Sequence, residues 1–419
     1  MTLPDLMIAT LYILESNFAG NGYYCGKIAK DCGFKVKFIA RDPGEYETLE
    51  YKIKDCCHQV CQVDSYSYDK LTEFFQDEVL QGEHIAAIMA FDDFRVVQAA
   101  AMSAIFCPDT GPNALGVLNC RFKDKMRKVF LGTPFQLPFD VVDLNQKTPP
   151  SVGFPCIIKP VDESGSICVK VCENETEFIE ALNSVKRRLI PNIRSYLIKA
   201  KALAEAVITG QEYSAEMLWC GKRNRWISLG YTKKVTTQGK YCAELGHIFL
   251  QQMDTSLRRR FDHEVNTLLT IVGLTRTVAH VEFKYCESDG LKVIEINPRL
   301  AGGHIAKLVE SALDINLNQL VLNAHLGKEL VIPPSQGQEF WSVAFIYSNG
   351  PANIQSVSRS RPIPDVVEMQ LVPCPKQVSG KTDGDQRLGY VIRRTSDLKD
   401  AESFITNIDQ YFKIEGAEP

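Results

Sequence analysis

The residues best suited to chemistry in this sequence are two glutamates and an asparagine on either side of one turn. Glu282 stands in the run "TVAHVEFKYC", and Glu295 and Asn297 stand in the run "LKVIEIN". Both runs alternate apolar and polar residues, and the "ESDG" between them predicts a β-hairpin. Because successive side chains of a strand point to opposite faces, Glu295 and Asn297 should share one face, and Ile294 and Ile296 the other.

The pairing of the two strands brings the acidic side chains together. A turn centred between Ser288 and Asp289 places Glu282 opposite Glu295, and a turn centred one residue later places it opposite Asn297. Directly opposed like charges destabilise a hairpin, so a bound cation is the physical remedy. Carboxylate and amide oxygens suit a hard ion such as Mg²⁺ or Mn²⁺. We therefore predict a metal site formed by Glu282, Glu295 and Asn297.

A solvated polar face, on which Glu282 pairs with Lys284, is the alternative to a metal site. It accounts less well for the residues after the second strand, because Arg299, Gly302 and Gly303 come at once in "NPRLAGG". An arginine beside exposed backbone groups favours the binding of an anion.

The segment "FPCIIKPVDESGSICVKV" (154–171) is a second candidate for chemistry. An apolar strand ends near Lys159, the polar loop Ser164-Gly165-Ser166 comes next, and a second strand returns. A lysine beside loop N–H groups can hold phosphate, although no Walker A pattern occurs. An ordinary hairpin with a surface lysine explains this motif alone equally well.

Two weaker patterns concern nucleotides. In "EAVITGQEY", Glu205 and Glu212 lie around a turn that could meet a base and a ribose, but a hinge loop with solvated acids is the default interpretation. Near the start, Gly20-x-Gly22-x-x-x-Gly26 departs from G-x-G-x-x-G, so a plain strand–loop–helix is favoured over a dinucleotide site.

The composition limits the classes of protein to consider. The chain has 419 residues, 45% hydrophobic and 23% charged, as in ordinary globular proteins. Its 47 basic and 51 acidic residues give a net charge of -4, which offers no electrostatic reason to expect nucleic acid or an anionic membrane. The start "MTLPDLMIATLYIL" lacks a basic segment and a cleavage site. The 14 cysteines, including "CCHQVC", lack paired metal-binding spacing, so we expect reduced, largely buried thiols in a cytoplasmic protein.

The pattern of apolar and polar residues predicts the strands and helices that position these side chains. Strands at 5–14, "KVKFIA" and "HIAAIMAF" alternate with helices around Tyr23–Gly33 and Val96–Ile105, which predicts a parallel sheet in an open α/β domain. Strand-rich sequence dominates from 156 to 300, and short strands with one terminal helix around Asp397–Phe412 complete the chain.

Taken together, these segments resemble the ATP-grasp carboxylate–amine ligases over nearly the whole chain. The resemblance is carried by "RFKDKMRKVF", "FPCIIKPVDESGSICVKV", "EAVITGQEYSAEM", "YTKKVTTQGKYCAELGHI" and "AHVEFKYCESDGLKVIEINPRLAGGHIAKLVESALDINL". Within that superfamily the chain is most similar to the L-amino acid ligases, or dipeptide synthases, through "INPRLAGG", "LVESALDINL" and "RLGYVI".

This resemblance implies an ATP-grasp fold, which is α/β and in parts α+β. An N-terminal open parallel α/β domain would span 1–118 and a small lid subdomain 119–200. A central catalytic subdomain would span 201–330, and a C-terminal mixed-sheet subdomain, 331–419, would complete the catalytic domain.

The resemblance also implies a role for each matching residue. ATP would be bound by Lys125, Lys159, Ser164, Gly165 and Ser166 at the phosphates, by Glu205, Ala206, Val207 and Ile208 at the adenine, and by Glu212 at the ribose. Magnesium would be held by Glu282, Glu295 and Asn297. The substrate would be bound by Arg299, Gly302, Gly303 and His247, with Arg299, Lys159 and Ser166 taking part in catalysis.

The implied reaction joins two L-amino acids through an acyl phosphate and releases ADP and phosphate. One alternative is an ATP-grasp ligase with another acceptor: a carrier-protein thiol, bicarbonate or a non-amino-acid amine. An alternative from a different class is an NAD(P)-dependent oxidoreductase that uses the Gly20/Gly22/Gly26 loop. The expected partners are small molecules, with a homodimer compatible with the resemblance.

Overall fold

The N-terminal part of the chain forms a four-stranded parallel sheet with helices between its strands. The computed structural model describes residues 9–17, 19–47, 49–189, 199–237, 239–333 and 337–417. The strands, in the order β3-β2-β1-β4, are β1 (Thr10–Leu14), β2 (Lys35–Ala40), β3 (Gln59–Gln62) and β4 (Ile85–Ala90). The helices are α1 (Asn21–Asp31), α2 (Ile53–Cys56), α3 (Tyr68–Leu80) and α4 (Val96–Phe106). The predicted parallel α/β organisation is confirmed, and residues 5–8 of the predicted first strand lie outside the described residues.

Close packing explains the glycines of the first loop. A Cβ atom at Gly22 would lie 2.8 Å from the Cβ of Ser16, and one at Gly26 would lie 2.8 Å from the carbonyl oxygen of Cys56. Both glycines therefore allow α1 to approach its neighbours, which accounts for them without a dinucleotide.

A short helical connection leads to a second, smaller sheet. The connecting helices are α5 (Ala114–Arg121) and α6 (Lys123–Val129). The sheet has the order β5-β8-β6-β7, with strands β5 (Phe139–Asp143), β6 (Cys156–Pro160), β7 (Lys170–Cys172) and β8 (Lys201–Ala206), and it is covered by α7 (Glu175–Arg187). Strands β6 and β7 form the predicted antiparallel hairpin around Lys159. Strand β8 comes after residue 200, so this sheet extends past the boundary that the sequence suggests.

An eight-stranded antiparallel sheet forms the centre of the molecule. Its order is β13-β12-β9-β10-β11-β14-β18-β16. The strands are β9 (Gln211–Cys220), β10 (Arg225–Thr236), β11 (Glu244–Leu250), β12 (Val278–Cys286), β13 (Gly290–Asn297), β14 (Phe340–Ile346), β16 (Val366–Leu371) and β18 (Gly389–Thr395). Three of these strands come from the C-terminal segment, which therefore continues the central sheet.

The remaining elements cover this sheet. The helices are α8 (Thr255–Val272), α9 (Ile305–Leu313), α10 (Leu317–His325) and α11 (Leu398–Thr406). A small sheet, β17-β15-β19, is formed by β15 (Ala352–Arg359), β17 (Lys376–Val378) and β19 (Phe412–Ala417). One face of the β12–β13 hairpin packs on α8, where Phe283 and Val293 share a core with Phe261. The opposite face is left for polar side chains.

The register of the β12–β13 hairpin is the first of the two that the sequence allows. Glu282 pairs with Glu295. A bulge then shifts the pairing, so that Phe283 pairs with Val293 and one extra residue lies on β13. The prediction that Ile294 lies on the face opposite Glu295 is therefore wrong, because the bulge places both residues on the cleft between the small and central sheets.

Two further features of the structure concern the cysteines and the lengths of the helices. All 14 cysteines are free, and those of "CCHQVC" are buried, as expected for reduced thiols. In the described part of the chain, no helix is both long enough and apolar enough to cross a membrane.

Candidate active site

A cleft of about 900 Å³ lies between the small sheet and the polar face of the central sheet. We call it the central cleft. It is lined by eleven of the residues predicted from sequence: Lys159, Ser164, Gly165, Ser166, Glu205, Ile208, Glu212, Glu282, Glu295, Asn297 and Arg299. Predicted phosphate, ribose, metal and substrate residues thus meet in one place.

Strand pairing explains why the polar side chains converge. Glu282 on β12 pairs with Glu295 on β13, and two residues along β12, Lys284 pairs with Glu212 on β9. Lys234 on β10 continues the same row, since its neighbour Lys233 pairs with Tyr213 beside Glu212. Residues that face each other across antiparallel strands share a face, so four adjacent strands supply one charged surface.

Lys234 is the central cation of this surface. Its Nζ lies 2.8 Å from a carboxylate oxygen of Glu244, 2.8 Å from one of Glu282 and 3.9 Å from one of Glu212. Burial alone would lower the pKa of Lys234, but these three glutamates outweigh it and raise that pKa above its usual value. The lysine therefore stays charged and holds the glutamates near one another.

Glu212 is the least stabilised of these carboxylates. Burial, together with the charges of Glu282 and Glu244, raises the pKa of Glu212 to about 7, although Lys234 acts in the opposite direction. Its carboxyl group is thus poised between its two protonation states near neutral pH.

The predicted metal residues have oxygen donors directed to the cleft. Glu282 is held by Lys234, and Glu295 accepts from Lys123 Nζ at 2.8 Å. Asn297, two residues beyond Glu295 on β13, lines the cleft as well. Within the described ranges, no group of three or more His, Cys, Asp or Glu side chains is arranged to hold a metal ion. Two carboxylates and an amide nevertheless fit Mg²⁺, which binds through one or two carboxylates plus phosphate oxygens and water.

Lys159 is fixed by a buried network at the floor of the cleft. Its Nζ lies 2.7 Å from Glu205, whose other oxygen accepts from Arg127 Nε at 2.5 Å. Burial alone would raise the pKa of Glu205, but Arg127 and Lys159 outweigh it and hold that pKa at about 2. Glu205 was predicted to line an adenine. Its carboxylate instead positions Lys159, because both oxygens are engaged by cations.

Lys125, the predicted phosphate contact, differs from its neighbour Lys123 in its position relative to the central cleft. The cleft is lined by Lys123, which is buried and donates to Glu295 and to the carbonyl oxygen of Glu163. Lys123 is the first residue of α6, and a residue two positions further along a helix points about 200° away. Lys125 therefore lies outside the cleft.

The loop Ser164–Ser166 covers one end of the cleft. Gly165 and Ser166 have φ values of 71° and 59°, a conformation that glycine adopts readily and serine does not. The N–H of Gly384 donates to the carbonyl oxygen of Gly165 at 3.4 Å. The C-terminal segment thus contacts the loop directly.

A second cavity of about 1430 Å³ continues from the central cleft. We call it the hinge cavity, and it shares Ile208 and Glu212 with the cleft. Val207 lies on it and is 37% exposed, whereas Ala206 ends β8 and lines neither cavity. The predicted adenine segment is therefore reduced to Val207 and Ile208.

A third cavity of about 1170 Å³ lies between the N-terminal sheet and the central sheet. We call it the domain cavity. It shares Ser164, Gly165 and Arg299 with the central cleft and is also lined by Gly302 and Gly303. The predicted substrate residues therefore stand at the junction of the two cavities.

Arg299 is bound to an aspartate that the sequence did not single out. Its Nε and Nη2 donate to the two carboxylate oxygens of Asp93 at 2.7 and 2.8 Å, and its Nη1 donates to the carbonyl oxygen of Leu300. Burial alone would lower the pKa of Arg299, but the charge and the hydrogen bonds of Asp93 outweigh burial and raise that pKa above its usual value. This bidentate geometry is the one a substrate carboxylate would adopt.

His247 lies beneath the junction rather than on it. It is fully buried, its Nε2 is 3.5 Å from Glu244, and a Cβ atom at Gly303 would lie 2.7 Å from that nitrogen. Burial lowers the pKa of His247. The imidazole therefore packs beneath Gly303, and contact of His247 with substrate stays a prediction.

Sequence analysis did not identify several residues of the site. They are Asp93, Lys123, Glu163, Lys234, Glu244 and Arg387. Arg387, from the C-terminal segment, donates to Glu244 at 2.7 Å and lies 3.5 Å from the ring centre of Phe345. Alternation in "YTKKV" is the one local signal for Lys234, but only the strand order shows which glutamates it contacts.

This combination of a small sheet, a central antiparallel sheet and a lysine- and glutamate-lined cleft defines the class of the protein. Residues 152–307 match the family model described as an ATP-grasp domain. This part of the chain is therefore an ATP-grasp domain, and the predicted fold, the ADP-forming carbon–nitrogen ligase class and the cofactors ATP and Mg²⁺ are confirmed.

Comparisons with particular proteins agree with this assignment. The fold is similar to that of the L-amino acid ligase from Bacillus licheniformis, with a TM-score of 0.74 and 18% identity, over 98% of this chain and 99% of that one. It is also similar to the biotin carboxylase domain of Hydrogenobacter thermophilus 2-oxoglutarate carboxylase, described in complex with MgADP, ADP and bicarbonate, with a TM-score of 0.63 and 14% identity, over 98% and 91% of the two chains. In sequence, the chain is 24% identical to the protein y4rH of Sinorhizobium fredii, over 96% of this chain and 82% of that protein.

Proposed function

We propose that this protein joins the carboxylate of one L-amino acid to the amine of another, through an acyl phosphate, at the expense of ATP. The observation that carries the proposal is the position of Arg299. It lines both the central cleft, where Lys123 and Lys159 offer positive charge, and the domain cavity, which has room for small substrates. A carboxylate held by Arg299 would thus face the phosphates.

The nucleotide would lie along the central cleft and the hinge cavity. Val207 and Ile208 would contact the adenine, and Glu212 the ribose, while Lys123 and Lys159 neutralise phosphate charge. Phosphoryl transfer depends mainly on positioning and on charge neutralisation, which these fixed lysines provide. When bound, Mg²⁺ would add charge neutralisation at the phosphates, held by Glu282, Glu295 and Asn297.

The reaction would proceed in two steps. A carboxylate oxygen of the first substrate attacks the γ-phosphoryl group, and ADP leaves. The amine of the second substrate then attacks the acyl phosphate, phosphate leaves, and the amine loses a proton. Arg299 would orient the carboxylate and stabilise the charge on its oxygen during the second step.

The loop Ser164–Ser166 would protect the intermediate. Ser164 and Gly165 line both the central cleft and the domain cavity, and Ser166 lines the central cleft, so closure of the loop would separate the acyl phosphate from bulk water. Ser166 would add a hydroxyl donor at the phosphates. A cytoplasmic location and assembly as a homodimer stay predictions.

A substrate screen tests the proposed reaction. The protein is incubated with ATP and Mg²⁺ and with the twenty L-amino acids singly and in pairs, while ADP release is measured and products are weighed by mass spectrometry. We expect turnover that requires amino acids and yields the sum of two of them minus water. ADP release without a condensed product would contradict the amino-acid acceptor and would favour a thiol, bicarbonate or another amine.

Replacement of Lys123 by methionine is expected to weaken ATP-dependent turnover by about 100-fold. The variant removes a charge aimed at the phosphates and leaves Glu295 without its ion pair. Lys125→Met is the matched control, because Lys125 lies on the same helix but outside the cleft, and it should retain activity within about twofold. Equal losses in both variants would contradict the reassignment from Lys125 to Lys123.

A further inference from the structure

The domain cavity contains a second buried arginine besides Arg299. Arg95 is only 5% exposed and lines this cavity but not the central cleft. The two arginines are each associated with one of two consecutive aspartates, Asp92 with Arg95 and Asp93 with Arg299. One cavity therefore has a guanidinium on either side of a single loop.

The contacts of the two arginines differ in strength. Arg299 holds Asp93 at 2.7 and 2.8 Å. The guanidinium of Arg95 lies 3.5 Å from Asp92, 3.9 Å from Glu15 and 3.4 Å from the hydroxyl of Ser65. All three distances are long for charge-assisted hydrogen bonds, which are usually about 2.7–2.9 Å.

The acidic neighbours of Arg95 are already stabilised by other donors. Glu15 accepts from the hydroxyls of Tyr46 at 2.6 Å and Ser65 at 2.7 Å, and from the N–H of Arg41 at 2.7 Å. One oxygen of Asp92 accepts two backbone N–H groups, at 2.8 and 2.9 Å. Because, among the described residues, the guanidinium nitrogens of Arg95 make only these long contacts with Asp92, Glu15 and Ser65, its N–H groups have room for a closer, ligand-derived acceptor.

The face of the guanidinium of Arg95 is packed, whereas its N–H edge makes, within the described part of the chain, only the long contacts with Ser65, Asp92 and Glu15. The ring centre of Tyr66 lies 4.2 Å from the guanidinium carbon, a distance at which the ring covers one face of the planar group. A guanidinium covered on its face binds anions through its edge, where two parallel N–H groups match the two oxygens of a carboxylate.

The charges around the cavity select among anions. Four carboxylates and two arginines line it: Glu15, Glu45, Asp92, Asp93, Arg95 and Arg299. An excess of acidic groups repels a dianion such as phosphate but suits a molecule that carries an ammonium beside a carboxylate. An α-amino acid is such a molecule.

We propose that Arg95 binds the unreacted α-carboxylate of the acceptor amino acid and thereby restricts the acceptor to free amino acids. This inference rests on the proposed ligase function. Arg299 lines both cavities and serves the carboxylate that is activated, whereas Arg95 lies only on the side away from the phosphates. The acceptor's amine would point from Arg95 towards the junction at Arg299, where the acyl phosphate forms.

The test compares acceptors that have and lack the charge. The twenty L-amino acids and their α-carboxamides are offered as acceptors to the wild-type protein and to Arg95→Gln and Arg95→Lys, and kcat/KM is measured for each. We expect the wild type to prefer free acids by at least about 100-fold, because a site built for a charged group rejects the neutral analogue. In Arg95→Gln the preference should fall to within about threefold of unity, and Arg95→Lys should retain part of it.

Two controls separate this role from a structural one. Hydroxylamine traps the acyl phosphate as a hydroxamate without an acceptor, and this rate should stay within about twofold of wild type in the Arg95 variants. Arg41→Gln removes a more exposed arginine that lies 5.8 Å from the ring centre of Tyr66, and it should leave the preference unchanged.

The outcomes are distinguishable. Hydroxamate formation with an unchanged preference for free acids in Arg95→Gln overturns the role of Arg95 alone. Equal losses of hydroxamate and product in both Arg95 variants also overturn it, because a positioning or folding defect would then explain the effect. Absence of hydroxamate and of condensed product in the wild type overturns the proposed ligase function itself.

Discussion

Replacement of Glu295 by glutamine is expected to lower the rate of ATP turnover by about 1000-fold while the chain stays folded. Glutamine keeps the size of the side chain but removes the charge that a metal ion requires. It also leaves the buried cation of Lys123, now 2.8 Å from Glu295, without its counter-charge. The rate of ADP release at saturating ATP and substrates measures the effect, and the thermal unfolding midpoint checks the fold.

Glu287→Gln is the matched control for this variant. Glu287 lies in the exposed turn of the same hairpin, so the same chemical change there should leave ADP release within about twofold of wild type. Titration with Mn²⁺, followed by its paramagnetic effect on water relaxation, provides a readout of metal binding apart from activity. A Glu295→Gln protein that turns over ATP at the parental rate would remove the metal-site proposal.

Replacement of Arg299 by lysine is expected to raise KM for the carboxylate substrate by about 30- to 100-fold and to lower kcat as well. Asp93 occupies the Nε and Nη2 edge of Arg299, so a substrate carboxylate would use the remaining N–H groups of Nη1 and Nη2 in the plane that Asp93 fixes. Lysine keeps the charge but offers a single point donor, so orientation is lost together with part of the binding energy. Steady-state kinetics with the carboxylate substrate varied and ATP saturating measures both constants.

The rise in KM is expected for the carboxylate substrate and not for ATP, so the KM for ATP serves as an internal comparison. KM for ATP should change little in Arg299→Lys, because we propose that Lys123 and Lys159, not Arg299, bind the phosphates. Arg259→Lys, on the exposed side of α8, is the control for the chemical change alone. Parental turnover and parental KM values in Arg299→Lys would show that the assigned role is wrong.

Local pattern in the sequence was enough to predict the parts of the site that lie on single elements. Alternation around "ESDG" predicted the hairpin, and one of its two allowed registers is present. The strand that ends at Lys159 and the loop after it were predicted for the same reason, since strand and turn propensities depend on neighbouring residues.

The features that sequence failed to predict depend on distant contacts. The bulge in β13 changes the face of Ile294 and arises from pairing with β12 and from packing on α8. The sequence pointed to Lys125, whereas Lys123 lines the cleft, because the lysine that faces the cleft depends on the residue at which α6 begins. Asp93 lies 206 residues from Arg299, so no local pattern relates the two.

Arg127 connects the two sheets that enclose the cleft. Its Nε donates to Glu205 on β8, while Nη1 and Nη2 donate to the carbonyl oxygens of Val293 and Ile294 on β13 at 2.8 and 3.2 Å. One side chain, 1% exposed, thus acts as a pivot between the small sheet and the central sheet. Because the same guanidinium binds the carboxylate that holds Lys159, the position of Lys159 is tied to the backbone of β13 through a single buried side chain.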